Sequence, residues 1–390
     1  MISLLIVIIY VAFISLGLPD SLLGSAWPII KDELNIPLSY AGILTMVISG
    51  CTIISSLFTD RLIKKLGTGK VTAISVLLTA LGLLGFSIAQ KFYMLIILAV
   101  PYGIGAGAVD AALNNYVALH YSSKHMSWLH AFWGIGVTIS PYIMSLCLTN
   151  NLGWRSGYLI VGIIQSIFVI FLFSTLSIWK RNDTSSTEDV KTNVLSVPSA
   201  LKLIGAKEVL LSFLLYCAFE GTAGLWATTY LVDQKEVSLE LAAEFCSLFY
   251  IGLTTGRILN GFVADKLGDK KMIRIGTIIM LLGTILIILP ININIFALIG
   301  LVIIGLGCAP IYPSIIHSTP DNFGKENSQS LVGIQMASAY IGSTFMPPLF
   351  GILAEHISVS LYPLFLLILV ILLIIMTERS NRLFKKTCRN

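Results

Sequence analysis

Residues 261–271 read Gly261-Phe-Val-Ala-Asp265-Lys-Leu-Gly268-Asp-Lys270-Lys271, an acidic-then-basic turn held between two apolar runs at 239–264 and 270–289. Each run reaches the roughly 20 residues that a helix needs to cross a bilayer, so the turn marks where the chain leaves the hydrocarbon and at once re-enters it. A turn of the same kind stands earlier, Asp60-Arg61-Leu62 with Lys64, Lys65 and Gly67, directly after the apolar run 37–59. There Ser56 takes the place of Gly261, and extra residues separate Arg61 from Gly67. Other positions repeat in step: Asp20 then Gly24 against Glu220 then Gly224, with Trp27 and Trp226 about a turn further on. His130, Gly136 and Pro141 likewise answer Gln335, Gly342 and Pro347. Repetition of this kind predicts two related halves with a ligand site at mid-membrane.

Composition agrees. Of 390 residues, 56% are hydrophobic and only 12% charged, about half the usual charged fraction of a soluble domain, and the mean hydropathy is +0.88. Apolar stretches near 3–30, 37–59, 70–90, 92–119, 126–149, 155–179, 206–232, 239–264, 270–289, 293–317, 329–355 and 359–377 predict an all-α integral membrane protein of twelve transmembrane helices. The halves are 1–179 and 206–390, the latter with a short tail, joined by a linker at 180–205 whose polar part runs from Lys180 to Pro198. The opening stretch lacks a basic flank and reads as a retained first helix, not a cleaved signal.

Orientation follows from the basic residues, which collect in cytoplasmic loops. With both termini cytoplasmic, only Lys31, Lys91, Arg155 and Lys235 of the 25 lie on the outer side, which predicts a multi-pass protein of the cell membrane. The net charge of +5 then reports topology and not a nucleic-acid partner. The six cysteines fall singly in mostly apolar runs and read as small core residues, with no metal-ligand spacing. Gly103-Ile-Gly105-Ala-Gly107 reads as close helix packing, since no strand precedes it and no Walker lysine follows. No cofactor is expected beyond H⁺ or Na⁺ as coupling ion, and nothing demands more than a monomer.

GFVADKLGDKK resembles the loop signature of the major facilitator superfamily, and the twelve-helix, two-half layout extends the resemblance over nearly the whole chain. Further segments resemble the fucose:proton symporter family and its glucose-transporting relatives. They are Leu18-Pro-Asp20-Ser-Leu-Leu, Val109-Asp110-Ala-Ala-Leu-Asn114, His130-Ala-Phe-Trp-Gly-Ile-Gly136, Glu220 to Trp226 followed by Thr-Thr-Tyr230, and Gly305-Leu-Gly-Cys-Ala-Pro310-Ile-Tyr-Pro313. The resemblance implies working carboxylates at Asp20 and Asp110 and transport of a monosaccharide with protons or sodium. The chain departs from that pattern in the shorter acid at Asp110 and in His130 and Trp133, which replace amides of the fifth helix.

An ionised carboxylate at mid-membrane costs roughly 2.5 kcal/mol or more, so acids there face cavities and work. Asp20, Asp110 and Glu220 are three such acids; the first two are read as proton-coupling groups and Glu220 as a substrate contact, with permanent structural bonding as the alternative for each. His130 suits a proton relay or a donor to a sugar, as against a packing role. Trp133 and Trp226 offer flat faces to a pyranose ring, and Asn114 and Gln335 can both donate and accept, although interhelical bonding explains the amides equally well. Asp60 and Asp265, beside Arg61 and Lys266, read as a charge lock between helices that biases one access state, with Arg257 two turns inside. The whole predicts a secondary transporter of a small solute, a monosaccharide moved with protons by alternating access, and not an enzyme. The alternatives are a proton-coupled exporter of drugs or amphipaths on the same fold, and a non-transporting membrane receptor.

Overall fold

The structure, a computed structural model, describes residues 4–37, 40–179, 194–289 and 295–387; the first part of the expected linker, 180–193, and Cys388 lie outside them, as does the side chain of Cys246. Among the described residues every regular element is helical. The helices are α1 (Leu4–Gly17), α2 (Leu22–Leu34), α3 (Tyr40–Leu66), α4 (Thr68–Ile88), α5 (Phe92–His120), α6 (Ser123–Thr149) and α7 (Gly153–Ser174). After the short α8 (Val197–Ala200) come α9 (Ala206–Lys235), α10 (Leu239–Leu267), α11 (Asp269–Ile288), α12 (Ile295–Cys308) and α13 (Ile311–His317). The chain ends with α14 (Thr319–Phe323), α15 (Lys325–His356) and α16 (Tyr362–Thr387).

Eleven stretches among the described residues are long and apolar enough to span a membrane. The 29-residue α10 makes the twelfth, at about 43 Å for 1.5 Å per residue. Side chains such as Ile97, Ile170, Phe262 and Ile352 stay exposed, an apolar exterior that lipid accepts and water does not.

The expected first helix, 3–30, is broken. Pro19 brings no N–H, so α1 closes at Gly17 and the turn is held by Asp20 N–H to the Gly17 carbonyl (3.2 Å) and Leu22 N–H to the Pro19 carbonyl (3.2 Å). The expected tenth helix, 293–317, breaks the same way before Pro310. Elsewhere helices outrun their apolar cores: α3 continues to Leu66, α10 to Leu267 and α16 to Thr387, because hydropathy marks the hydrocarbon-facing part while polar residues go on making helical bonds. Both acidic-then-basic turns pass through a glycine of the same geometry, Gly67 (φ +82°, ψ +156°) and Gly268 (φ +75°, ψ +154°), a region closed to side chains.

The chain forms two compact units, which do not follow the halves of the sequence strictly. The first comprises residues 1–116, 129–194 and 325–337; the second comprises 117–128, 195–324 and 338–390. Each unit thus incorporates a segment from the other half. In the first, α4 packs along α7; in the second, α11 packs on α12 and α16, and α9 on α16. Cys147, Cys217 and Cys308 are buried.

Candidate functional site

In the first unit the site begins at a glycine contact. A Cβ on Gly136 would overlap the carbonyl of Ile14, and one on Gly17 would overlap the carbonyl of Trp133, so α1 and α6 touch backbone to backbone. Ser21 secures the approach, its hydroxyl donating to the Val137 carbonyl at 2.6 Å. Trp133 is thereby brought over the α1–α2 break, where its indole N–H donates to Asp20 Oδ2 at 2.8 Å. The Tyr102 hydroxyl approaches Oδ1 at 3.4 Å. Asp20 itself is exposed to a cavity of about 500 Å³ that Trp27, Ser49, Tyr102 and Tyr158 help to wall. The buried Tyr158 hydroxyl has no hydrogen-bond partner among the described residues.

Asp110 lies one helix away on α5 and is buried, 5% exposed. Asn114, one turn on, donates its amide to Asp110 Oδ1 at 2.8 Å. With its NH₂ so used, the Asn114 carbonyl oxygen faces His130 Nε2 at 3.0 Å, which assigns a hydrogen to that nitrogen. The result is a polarised chain from His130 through Asn114 to Asp110, with the His130 ring held edge-on to Phe13. Asn115 is committed elsewhere: it donates to Gln329 Oε1 and accepts from Ser328, both at 2.6 Å. Gln335 is buried on the same segment of α15.

In the second unit Glu220 accepts a hydrogen bond from Tyr216, one turn earlier on α9, and lies 3.7 Å from Arg257 Nη2 of α10. The Tyr216 hydroxyl also reaches the Cys308 carbonyl at 3.0 Å, a group left free where α12 stops ahead of Pro310. A Cβ on Gly342 would overlap the carbonyl of Leu214, as Gly136 meets Ile14. The repeat seen in the sequence thus recurs as the same helix contact, with an acid six residues further along the chain in each half. Trp226 serves packing: its indole donates to the Pro347 carbonyl at 2.9 Å and its ring lies edge-on to Phe350.

Neither Asp60 nor Asp265 forms an ion pair among the described residues. Asp60 accepts from Ser330 of α15 at 2.6 Å, while Arg61 stacks over Phe58. Asp265 accepts from the Ser122 hydroxyl at 2.8 Å and the Lys124 N–H at 2.9 Å, capping the first turn of α6; Lys266 is exposed. Arg257 belongs with Glu220, since eight residues of α10 set it about 12 Å along the helix axis from Asp265.

Sequence reasoning passed over Tyr102, Tyr158, Tyr216, Ser330 and His317. Tyr216 carried a signal, four residues before Glu220 and so on the same helix face. The others come from remote helices and carried none. At the opposite end of the first unit, Arg155 pairs with Glu33, donates to the Ala89 carbonyl at 2.9 and 2.7 Å, and stacks on Trp154.

The family model of the Major Facilitator Superfamily matches residues 9–245 and 209–382. Among curated proteins the chain is similar to Bypass of stop codon protein 6 of Saccharomyces cerevisiae, 23% identical over 95% of this chain and 81% of that one. It is similar to the glucose/mannose transporter GlcP of Bacillus subtilis, 22% identical over 88% and 86%. It is also similar to the quinolone resistance protein NorB of Staphylococcus aureus, 25% identical over 83% and 82%. Among solved structures, FucP in the outward conformation superposes with a TM-score of 0.80 over 97% of this chain and 98% of that one, at 15% identity.

Proposed function

Since the chain belongs to the Major Facilitator Superfamily, a family of membrane transporters, we propose that it moves a monosaccharide together with a proton by alternating access. The observation that carries this reading is Asp20, a membrane carboxylate set in a helix break, open to a cavity of about 500 Å³ and held by an indole N–H. Its volume falls in the roughly 300–1,000 Å³ range of small-molecule sites. A carboxylate so placed can be neutralised by one proton, which removes the cost of carrying its charge through hydrocarbon. The field then acts on that proton with about 2.3 kcal/mol per 100 mV, enough to drive accumulation. Trp133, Tyr102 and the unpartnered Tyr158 hydroxyl supply the flat face and the hydroxyl groups that a sugar ring needs. The Asp110–Asn114–His130 chain is a second place to hold a proton. GlcP and FucP support a sugar as the solute. The cell membrane is the setting proposed, with both termini cytoplasmic and a monomer as the working unit.

Uptake into proteoliposomes of a radiolabelled monosaccharide panel, under an imposed pH gradient and without sodium, tests this. Accumulation of one sugar that collapses in Asp20→Asn and Asp110→Asn is expected. A second reading, proton-coupled export of amphipaths, is favoured by the likeness to NorB. Displacement by many unrelated apolar compounds, with no sugar accumulated, would decide for it.

A further inference from the structure

A cavity of about 1200 Å³ opens at the basic end of the second unit, and His317, the last residue of α13, stands on its wall. Both ring nitrogens of His317 are engaged. Nδ1 lies 2.7 Å from Asp269 Oδ2, and Nε2 lies 3.0 Å from the carbonyl oxygen of Tyr121. A carbonyl oxygen only accepts, so Nε2 carries a hydrogen. A neutral imidazole would then turn a bare lone pair at Nδ1 toward a carboxylate oxygen, which repels it. The contact exists only with one more proton between Nδ1 and Oδ2, whichever atom holds it.

The neighbours of this pair all grip one short link. Asp269 Oδ1 accepts from Ser123 at 2.6 Å, and Asp265 accepts from Ser122 and from the Lys124 N–H. Residues 121–124, the link after α5 and the first residues of α6, are thus tied to α10, α11 and α13 by two carboxylates and a histidine, all within the second unit. Asp321 of α14 and Lys202, Lys270 and Lys271 line the same cavity, a carboxylate that attracts a proton and three ammonium groups that repel it.

We infer that His317 and Asp269 form a proton-binding site, separate from Asp20 and Asp110, whose proton fastens the 121–124 link to α11 and α13. When the proton leaves, a neutral ring can keep its bond to Asp269 or to Tyr121, but not both. The fastening is complete at low pH and loosens as pH rises through the titration of the pair. It holds whatever solute the protein carries.

Hydrogen–deuterium exchange of the full chain in lipid nanodiscs reads it directly, at about pH 6 and about pH 8.5, either side of the ordinary histidine range, with times scaled for intrinsic exchange. Peptides covering 121–128 are expected to exchange about tenfold faster at the higher pH in the wild type, while α9 and α16 are unchanged. His317→Phe, which cannot donate, should exchange fast at both. Equal protection of the wild type at both values overturns the inference, and this comparison stands even if the variant fails to fold. Wild-type protection in His317→Phe at the lower pH overturns it as well.

Discussion

The Trp133 indole gives its N–H to Asp20, and Trp133→Phe removes that hydrogen while keeping most of the ring. A hydrogen bond to a charged group contributes about 1.5–3 kcal/mol. Uptake by this variant, read as kcat/KM, is therefore expected to fall about tenfold or more with little change in melting temperature; undiminished uptake would show that the bond is not used. Glu33 makes a different prediction. Burial alone would raise its carboxyl, but the Arg155 guanidinium and the Trp154 indole outweigh it and hold the group below its ordinary 4.5. A depressed carboxylate stabilises the fold above the unfolded value and loses that contribution as pH falls through the folded one. Glu33 is 44% exposed, so solvent screening limits the gain to below about 1 kcal/mol. Melting curves should show wild type and Glu33→Gln converging below about pH 4, with wild type higher at neutral pH; parallel curves throughout would count against the clamp. At this scale the sequence showed which groups were costly in a membrane and not whom they would meet. Asp20, Asp110, Asn114 and His130 stand out by chemistry alone. The bond from Trp133 depends on a helix crossing that no spacing along the chain encodes.

Helix against helix, the decisive groups are the absent ones. A methyl at Gly136 would overlap the Ile14 carbonyl, whereas one at Gly24 meets nothing within 4 Å. Overpacking a tight contact costs about 1–3 kcal/mol, so Gly136→Ala should melt lower and lose transport while Gly24→Ala keeps its melting temperature. Equal melting of the two would mean that α1 and α6 separate at no cost. Helix number and the paired turns were legible in the sequence because apolar length and charge mark them. The breaks at Pro19 and Pro310 were legible in principle, from a ring without an N–H, but the apolar run continues across each and conceals it. Helix ends were read short for the opposite reason: backbone bonding continues after hydropathy falls.

Across the whole molecule, two related halves could be read from the repeat, and the exchange of segments between units could not. Residues 325–337 complete the first unit through Ser330 on Asp60 and through Ser328 and Gln329 on Asn115. Fragment 1–193 lacks them. Expressed alone it is expected to be rapidly degraded, and co-expression with 194–390 should restore a stable, affinity-purifiable pair. A fragment 1–193 that is stable by itself would show the exchanged segment to be dispensable.

That exchange also imposes an order of manufacture. The ribosome makes Asp60 and Asn115 long before Gln329 and Ser330, and at about five to twenty residues per second the interval from residue 193 to residue 337 is roughly seven to thirty seconds. During that time the first six spans are already threaded into the bilayer with buried polar groups still waiting for partners. Quality-control proteases therefore meet, on every round of synthesis, a half-finished product that only the late-made chain can hide. Codon changes between 194 and 337 that slow elongation should lower the yield of finished protein without altering one residue of it.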